Sequence, residues 1–231
     1  MKKDKTLQQS STSNWFYSLL ILLSALIIMT LLLKMQTLTW AEIVWFLAFT
    51  ATFIIRLPFT RMVKQNHIVL AKQDTSEKVL LFGMFASSMF LPGMYLITSW
   101  LDFANYSVSE QFVLIAALLQ IPYLWLFWRS HADLGRNWSP TLELHEQHKL
   151  VTKGVYARLR HPMYSAIWLF VIAQPFLLQN WIAGFLIVPA FTLLSLGRIP
   201  REETMLREQF GQAYEDYIAR TGKLFPKFHG K

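Results

Sequence analysis

The sequence contains no cysteine, which excludes disulfides, thiolate metal sites and a cysteine nucleophile together. Charge is sparse as well: 16% of residues are Asp, Glu, Lys or Arg, against 54% hydrophobic, the balance of a lipid-embedded chain rather than a water-soluble one. Glycine occurs only 9 times in 231 residues and nowhere forms a G-x-G-x-x-G turn. With no alternating strand-helix pattern either, a doubly wound nucleotide-binding sheet is excluded. What the chain does have is 18 Phe, 9 Trp and 8 Tyr, aromatic weight that suits membrane interfaces, and long uncharged runs.

Residues 1–13 are polar and expected to be a disordered tail. Trp15 to Leu33 carries no charge over nineteen residues, enough to cross roughly 30 Å of hydrocarbon. Its apolar core is too long for a cleaved signal peptide and lacks a small-x-small cleavage site, so it reads as a retained first helix. A second run, Thr39 to Ile55, has one acid, Glu42, near its start and ends at Arg56 and Pro58. The third, Val79 to Leu101, follows Asp74-Thr-Ser-Glu77, and the fourth, Gln111 to Trp128, follows Ser107-Val-Ser-Glu110, both openings resembling capping boxes. Residues 14–128 are thus expected to hold four transmembrane helices, with Pro92 and Pro122 as internal kinks.

From Pro162 to Gly197 there is no Lys, Arg, Asp or Glu over 36 residues. One straight helix of that length would reach about 54 Å, too long for a single crossing. Gln179-Asn180 breaks the run near its middle, so residues 164–197 are expected to form a helical hairpin, Tyr164 to Leu178 and Trp181 to Leu196. The expected fold class is all-α: a polytopic transmembrane helical protein with four spans, a short apolar hairpin and no Rossmann sheet.

A net charge of +8 raises the question of nucleic acid, and the placement of the basic residues answers it. Of 22 Lys and Arg, three precede the first run, four lie in 58–78, six in 129–161 and seven from Arg198 onward, whereas the connector 102–110 holds none. Alternating spans put every basic block on one side, as the positive-inside rule requires of a cytosolic face. The expected localisation is therefore integral membrane and multi-pass with both termini cytosolic, and no nucleic-acid partner.

Two segments exceed ordinary connectors: residues 129–163, far longer than a usual loop, and the charged tail 198–231, whose Met205, Leu206, Phe210, Tyr214, Tyr217 and Ile218 recur at helical spacing. Both lie on the cytosolic side, flanking the hairpin, which brings them together. His145-Glu-Gln-His148 is not a zinc motif, because the second His would have to stand where Lys149 is, so no metal is expected. Trp138 orders the loop or anchors it at the interface, and Glu42 reads as structural because it can snorkel from a helix end.

The loop reads His148-Lys-Leu150-Val151-Thr-Lys-Gly154-Val-Tyr156 and then Arg160-His161-Pro-Met163-Tyr164. The tail reads Arg198-Ile-Pro-Arg-Glu202-Glu203 and then Phe210-Gly211-Gln-Ala-Tyr214-Glu-Asp-Tyr217. This ordered series, interrupted by an apolar hairpin, resembles the isoprenylcysteine carboxyl methyltransferase family and related membrane phospholipid methyltransferases over about residues 130–228. The resemblance implies transmembrane helices that hold S-adenosylmethionine between the cofactor-binding loop and the tail. It implies cofactor contacts from His148, Leu150, Val151, Gly154, Tyr156, His161, Tyr164 and Glu202, with Arg198 and Glu203 facing the substrate carboxyl or headgroup.

Matching residue types to the cofactor, Arg160 or Arg198 suits a carboxylate, Glu202 or Glu203 the ribose or ammonium, and Tyr156 and Tyr164 the rings. The implied partners are membrane lipids and a lipid-like or prenylated substrate entering from the bilayer. Three other readings compete. One is phospholipid amine N-methylation. Another is an NADPH-dependent sterol-type reductase, whose similar string usually has Asn where this chain has Met163. The third is a non-catalytic membrane protein.

Overall fold

The computed structural model describes residues 37–63, 68–71, 75–139, 143–145 and 149–227. The expected first span, Trp15 to Leu33, the tail 1–13 and His148 lie outside them.

Helix α1, Trp40–Val63, opens on a capping box. The Thr39 amide and hydroxyl donate to Glu42 Oε2 at 2.7 and 2.9 Å, and the Glu42 amide donates back to the Thr39 hydroxyl. Glu42 is thus structural, as expected of an acid near a helix end, and acts as a cap rather than by snorkelling. The helix does not stop at Arg56. It continues through Pro58 to Val63, so Arg56 lies inside the span, because a side chain facing other helices need not end the run.

The next crossing begins with α2, Thr75–Phe85, widens into a π-helical segment at Ala86–Phe90, and resumes as α3, Leu91–Ile97. Pro92 brings no N–H to this stretch, and the Ser87 carbonyl five residues before it accepts instead from Gln174 Nε2 at 3.0 Å. Proline is tolerated at membrane depth where the freed groups find such partners. Helix α4, Glu110–Leu134, is the third long crossing. Helix α5, Pro162–Leu178, is a shorter apolar helix. By length and composition the three stretches Trp40–Met62, Thr75–Ile97 and Glu110–Asn137 can each cross a membrane. Side chains such as Leu47, Ile54, Phe82 and Ile121 are largely exposed along them, as lipid-facing residues must be.

The hairpin's return arm departs from its expected bounds. Residues 181–186 form turns, and α6 starts only at Ile187 and then runs unbroken to Phe210. The polar helix expected in the tail is therefore the continuation of the membrane arm, followed after Gly211 by α7, Gln212–Arg220. The hairpin tip is pinned by Asn180. Its amide donates to the Leu101 carbonyl and to Asn105 Oδ1, and its oxygen accepts from the amides of Ile182 and Ala183. Deeper in the bundle, Gln174 accepts from Trp45 Nε1 at 3.1 Å and donates to the carbonyls of Ser87 and Ala183. One buried amide thus ties α1, the π segment and the tip to α5.

At the opposite end, β1, Ile68–Ala71, pairs antiparallel with β2, Glu143–His145. This two-stranded ribbon joins the connector after α1 to the long loop. It is the one sheet among the described residues, in an otherwise helical fold.

Candidate active site

Four chain segments converge at the ribbon's end of the bundle: the start of α2, loop residues 135–139 and 149–161, the second half of α6, and the tail after α7. The tail zips onto the loop through backbone bonds. The Arg160 and His161 amides donate to the carbonyls of Gly222 and Lys223, and the Gly222 amide returns a bond to Arg158. Gly222 permits this contact, since a Cβ there would collide with the Phe225 carbonyl. Tyr217 on α7 reaches across to donate to the Tyr156 and Leu159 carbonyls at 2.7 and 3.2 Å.

The side chains of the Arg-His-Pro string meet the Glu pair of α6 here, as two clusters folded together by the hairpin would. Arg160 Nε donates to Glu203 Oε1 at 3.1 Å, and its Nη1 donates to the Thr221 carbonyl at 2.6 Å. His161 stands between the acids, with Nε2 3.3 Å from Glu203 Oε1 and Nδ1 3.5 Å from Glu202 Oε2. Tyr164 donates to Glu202 Oε1 at 2.7 Å, and Arg198 Nε donates to the same oxygen at 2.9 Å.

Burial alone would lower the His161 pKa, but hydrogen bonds and charge from Glu202 and Glu203 outweigh it and hold the imidazole above its ordinary value. Burial likewise opposes ionised Glu203, yet the bonds from His161 and Arg160 bring its carboxyl down to about 2. Glu202 is also held low, as the His161 bond and the Arg198 charge overcome its burial. Both acids are therefore carboxylates at neutral pH.

The two acids nevertheless differ. Glu203's side chain is 7% exposed and surrounded by cations, with Arg207 and Lys223 completing the set at 3.9 and 3.7 Å. Glu202 is more accessible, at 24% exposed. Among the other expected residues, Tyr156 is buried, with its hydroxyl on the Ser130 carbonyl. Leu150 and Val151 are partly buried in the irregular segment leading to it. Gly154 has φ of 60°, and a Cβ there would fall on the Asp133 carboxylate, which accepts from the Val155 amide at 2.8 Å.

Residue types alone did not mark Asp133 or Glu77 for the site. Glu77 read as a helix cap, yet it is 2% exposed and lies 3.7 Å from Arg198 Nη1, while Arg201 donates to the neighbouring Ser76 hydroxyl. Trp138 orders the loop rather than anchoring it at the interface, being buried against His131 and beneath Arg56. Among the described residues no three His, Asp or Glu side chains gather as a metal site.

The fold and site together define a multi-pass integral membrane protein with a buried charge lattice at one end of its helices. Residues 113–208 match the model of the isoprenylcysteine carboxyl methyltransferase family. A probable protein-S-isoprenylcysteine O-methyltransferase of Oryza sativa subsp. indica is 36% identical over 98 residues, 40% of this chain and 49% of that protein. The protein-S-isoprenylcysteine O-methyltransferase of Tribolium castaneum is 40% identical over 92 residues, 38% of this chain and 31% of that one. A solved structure of the eukaryotic intramembrane Ras methyltransferase is similar with a TM-score of 0.43 and 26% identity, over 66% of this chain and 51% of that one. The matched segments span about half or less of the curated relatives' length.

Proposed function

We propose that the protein transfers a methyl group from S-adenosylmethionine to the carboxylate of a lipid-linked acceptor of the isoprenylcysteine type, drawn laterally from the bilayer. The observation that carries this reading is the junction at Glu202, where the Arg-His-Pro-x-Tyr string and the α6 charges meet inside the segment matched to the methyltransferase family. We place this end of the bundle at the cytosol, a reading that the basic blocks support.

The residues present fit the cofactor. Glu202, 24% exposed, can accept from a ribose diol or an ammonium, Tyr164 offers a ring face, Tyr156 supports the loop from within, and Arg198 offers a guanidinium held in place by Glu202 and Glu77. Bound there, the cofactor supplies an electrophilic methyl on its sulfonium. The acceptor carboxylate is already anionic at neutral pH, so no residue has to remove a proton. The chain's contribution is in-line positioning and exclusion of water. Arg160 and Glu203 serve this indirectly, closing the tail over the loop and fixing His161 against Glu202.

The test uses purified protein in detergent. Stabilisation by S-adenosylhomocysteine and not by NADPH is expected, with loss of that shift in Glu202→Ala. Radiolabelled methyl should pass to an S-farnesylcysteine peptide; label appearing in phosphatidylethanolamine instead would replace the acceptor assignment.

A further inference from the structure

The tail after α7 carries a feature that the Glu202 junction does not use. A groove of about 480 Å³ is lined by three cations, Arg160, Lys223 and Lys227, and by the apolar side chains of Ile218, Leu224 and Phe225. No acid lines it. The nearby acid, Glu203, is 7% exposed and already paired with Arg160, standing 3.7 Å from Lys223 Nζ. Lys227 Nζ donates to the Ile218 and Ala219 carbonyls at 2.8 and 2.9 Å, capping the negative end of α7. An ammonium has three protons, so one is left for a partner outside the chain.

The depth of the groove is set by a side chain of α5. Ser165 Oγ donates to the Leu224 carbonyl at 2.7 Å, and Ser165 stands in the first turn of α5, where the 36 residues without an acid or base begin. The groove therefore lies level with the point at which the chain enters the apolar layer. Phe225, next to Leu224, is 80% exposed. An exposed aromatic ring at that level, flanked in the chain by two lysines, matches an interfacial segment: the ring enters the boundary between headgroups and acyl chains, and the ammoniums meet phosphates. An acidic peptide would match the charge but not the depth.

We propose that this groove binds the headgroup of an anionic phospholipid, with the phosphate held by Lys223 and Lys227 and the Phe225 ring lodged beside the upper acyl chains. The bound lipid pins the same tail segment that the Arg160 and His161 amides zip to the loop. This surface is separate from the methyl-transfer reading and is tested without it.

The chain has no cysteine, so Phe225→Cys gives the full-length protein a single attachment point for an apolar nitroxide. In nanodiscs of phosphatidylcholine and phosphatidylglycerol the label should meet oxygen, which concentrates in the bilayer, more readily than a water-soluble nickel chelate. The opposite order overturns the proposal. Lipid choice is read by native mass spectrometry of protein released from mixed-lipid micelles, where wild type should retain phosphatidylglycerol over phosphatidylcholine. The preference should fall about fivefold for each lysine removed, the effect of one basic residue at an anionic surface, in Lys223→Gln and again in Lys223→Gln/Lys227→Gln. Lys223→Gln alone decides the matter if the double variant does not fold, because it leaves the Lys227 cap on α7 in place. Lys223→Arg should keep the preference. An undiminished preference in Lys223→Gln overturns the proposal. So does displacement of phosphatidylglycerol by glycerol 3-phosphate, by a polyglutamate peptide or by S-adenosylhomocysteine, which would assign the groove to a soluble anion, a protein partner or the cofactor respectively.

Discussion

Exchanging Glu203 for Gln should loosen the protein without any ligand present. The Arg160 and Glu203 side chains are 8% and 7% exposed, so their pairing is hardly screened by water. Removing one partner of such a buried pair costs about 3–5 kcal/mol, because the remaining charge stays desolvated. Gln keeps one acceptor oxygen, and Arg160 keeps the Thr221 carbonyl, which places the expected loss near the lower end, about 3 kcal/mol. For a chain of this size each kcal/mol moves Tm by about 2–4 °C, so Glu203→Gln should melt about 6–12 °C lower. Intrinsic tryptophan fluorescence during heating in detergent measures this directly, and limited proteolysis should show earlier cutting after Thr221. A fall in Tm of less than about 2 °C would mean that the Arg160–Glu203 contact does not hold the tail to the loop, and the account of these two residues as architecture would be wrong.

Three further outcomes follow from the same geometry. His161, held above its ordinary pKa, contributes its full ion-pair stability below about pH 6.5 and loses it as pH rises through its raised value. Glu203, held at about 2, contributes fully above about pH 4.3 and loses that as pH falls toward 2. Tm should therefore decline on both sides of a mildly acidic plateau, and His161→Asn should abolish the alkaline decline; a decline that persists in the variant refutes the assignment. Gly154→Ala places a side chain on the Asp133 carboxylate at positive φ, breaking the Val155 cap at about 1.5–3 kcal/mol. Hydrogen exchange at Val155 should rise accordingly, and unchanged protection would contradict it. Gln174→Met removes three hydrogen bonds among α1, α5, the π segment and the tip. Interhelical bonds in membranes average about 0.6 kcal/mol each, so a loss of about 2 kcal/mol is expected in unfolding by sodium dodecyl sulfate titration, and no loss would show that these bonds are replaced in the unfolded ensemble.

The parts of this site that could be read from residue order were charges in places where charge is rare. Arg160-His161 and Glu202-Glu203 bracket a stretch of 36 residues without an acid or base, so each stands out, and a hairpin that returns to its starting side has to bring them together. Asp133 and Glu77 had no such contrast. Each sits at a helix end, where an acid is explained well enough by capping or by solvent, and only the packing of α2 on α6 shows Glu77 buried beside Arg198. The zipper between 158–161 and 222–224 is made of backbone bonds, which any residue can supply, so its one sequence mark is Gly222. Helix bounds were misjudged for a related reason. Hydropathy changes at Arg56 and at Gly197, but an α-helix ends where its backbone bonds end, and α1 and α6 both carry on into charged sequence.

The continuity of α6 explains how two adjacent acids come to hold different positions. Neighbouring residues on an α-helix are turned by about 100°, so Glu202 and Glu203 cannot face the same partner. Arg198 and Glu202 are one turn apart and share a face, directed toward Tyr164 and, through Arg198, toward Glu77. Glu203 turns toward Arg160, Lys223 and the tail. His161 touches both acids and so couples the two faces. A break at Gly197, as hydropathy suggested, would free the register between the membrane arm and the acids. Because the helix is unbroken, the depth of Ile187 and Phe191 in the bundle sets where Glu202 stands. The bilayer-embedded packing of α6 therefore positions the polar chemistry at its far end, and a one-residue deletion between Phe191 and Arg198 should turn Glu203 onto the face Glu202 holds, turn Glu202 onto that of Arg201, and abolish ligand binding even if the helix itself survives.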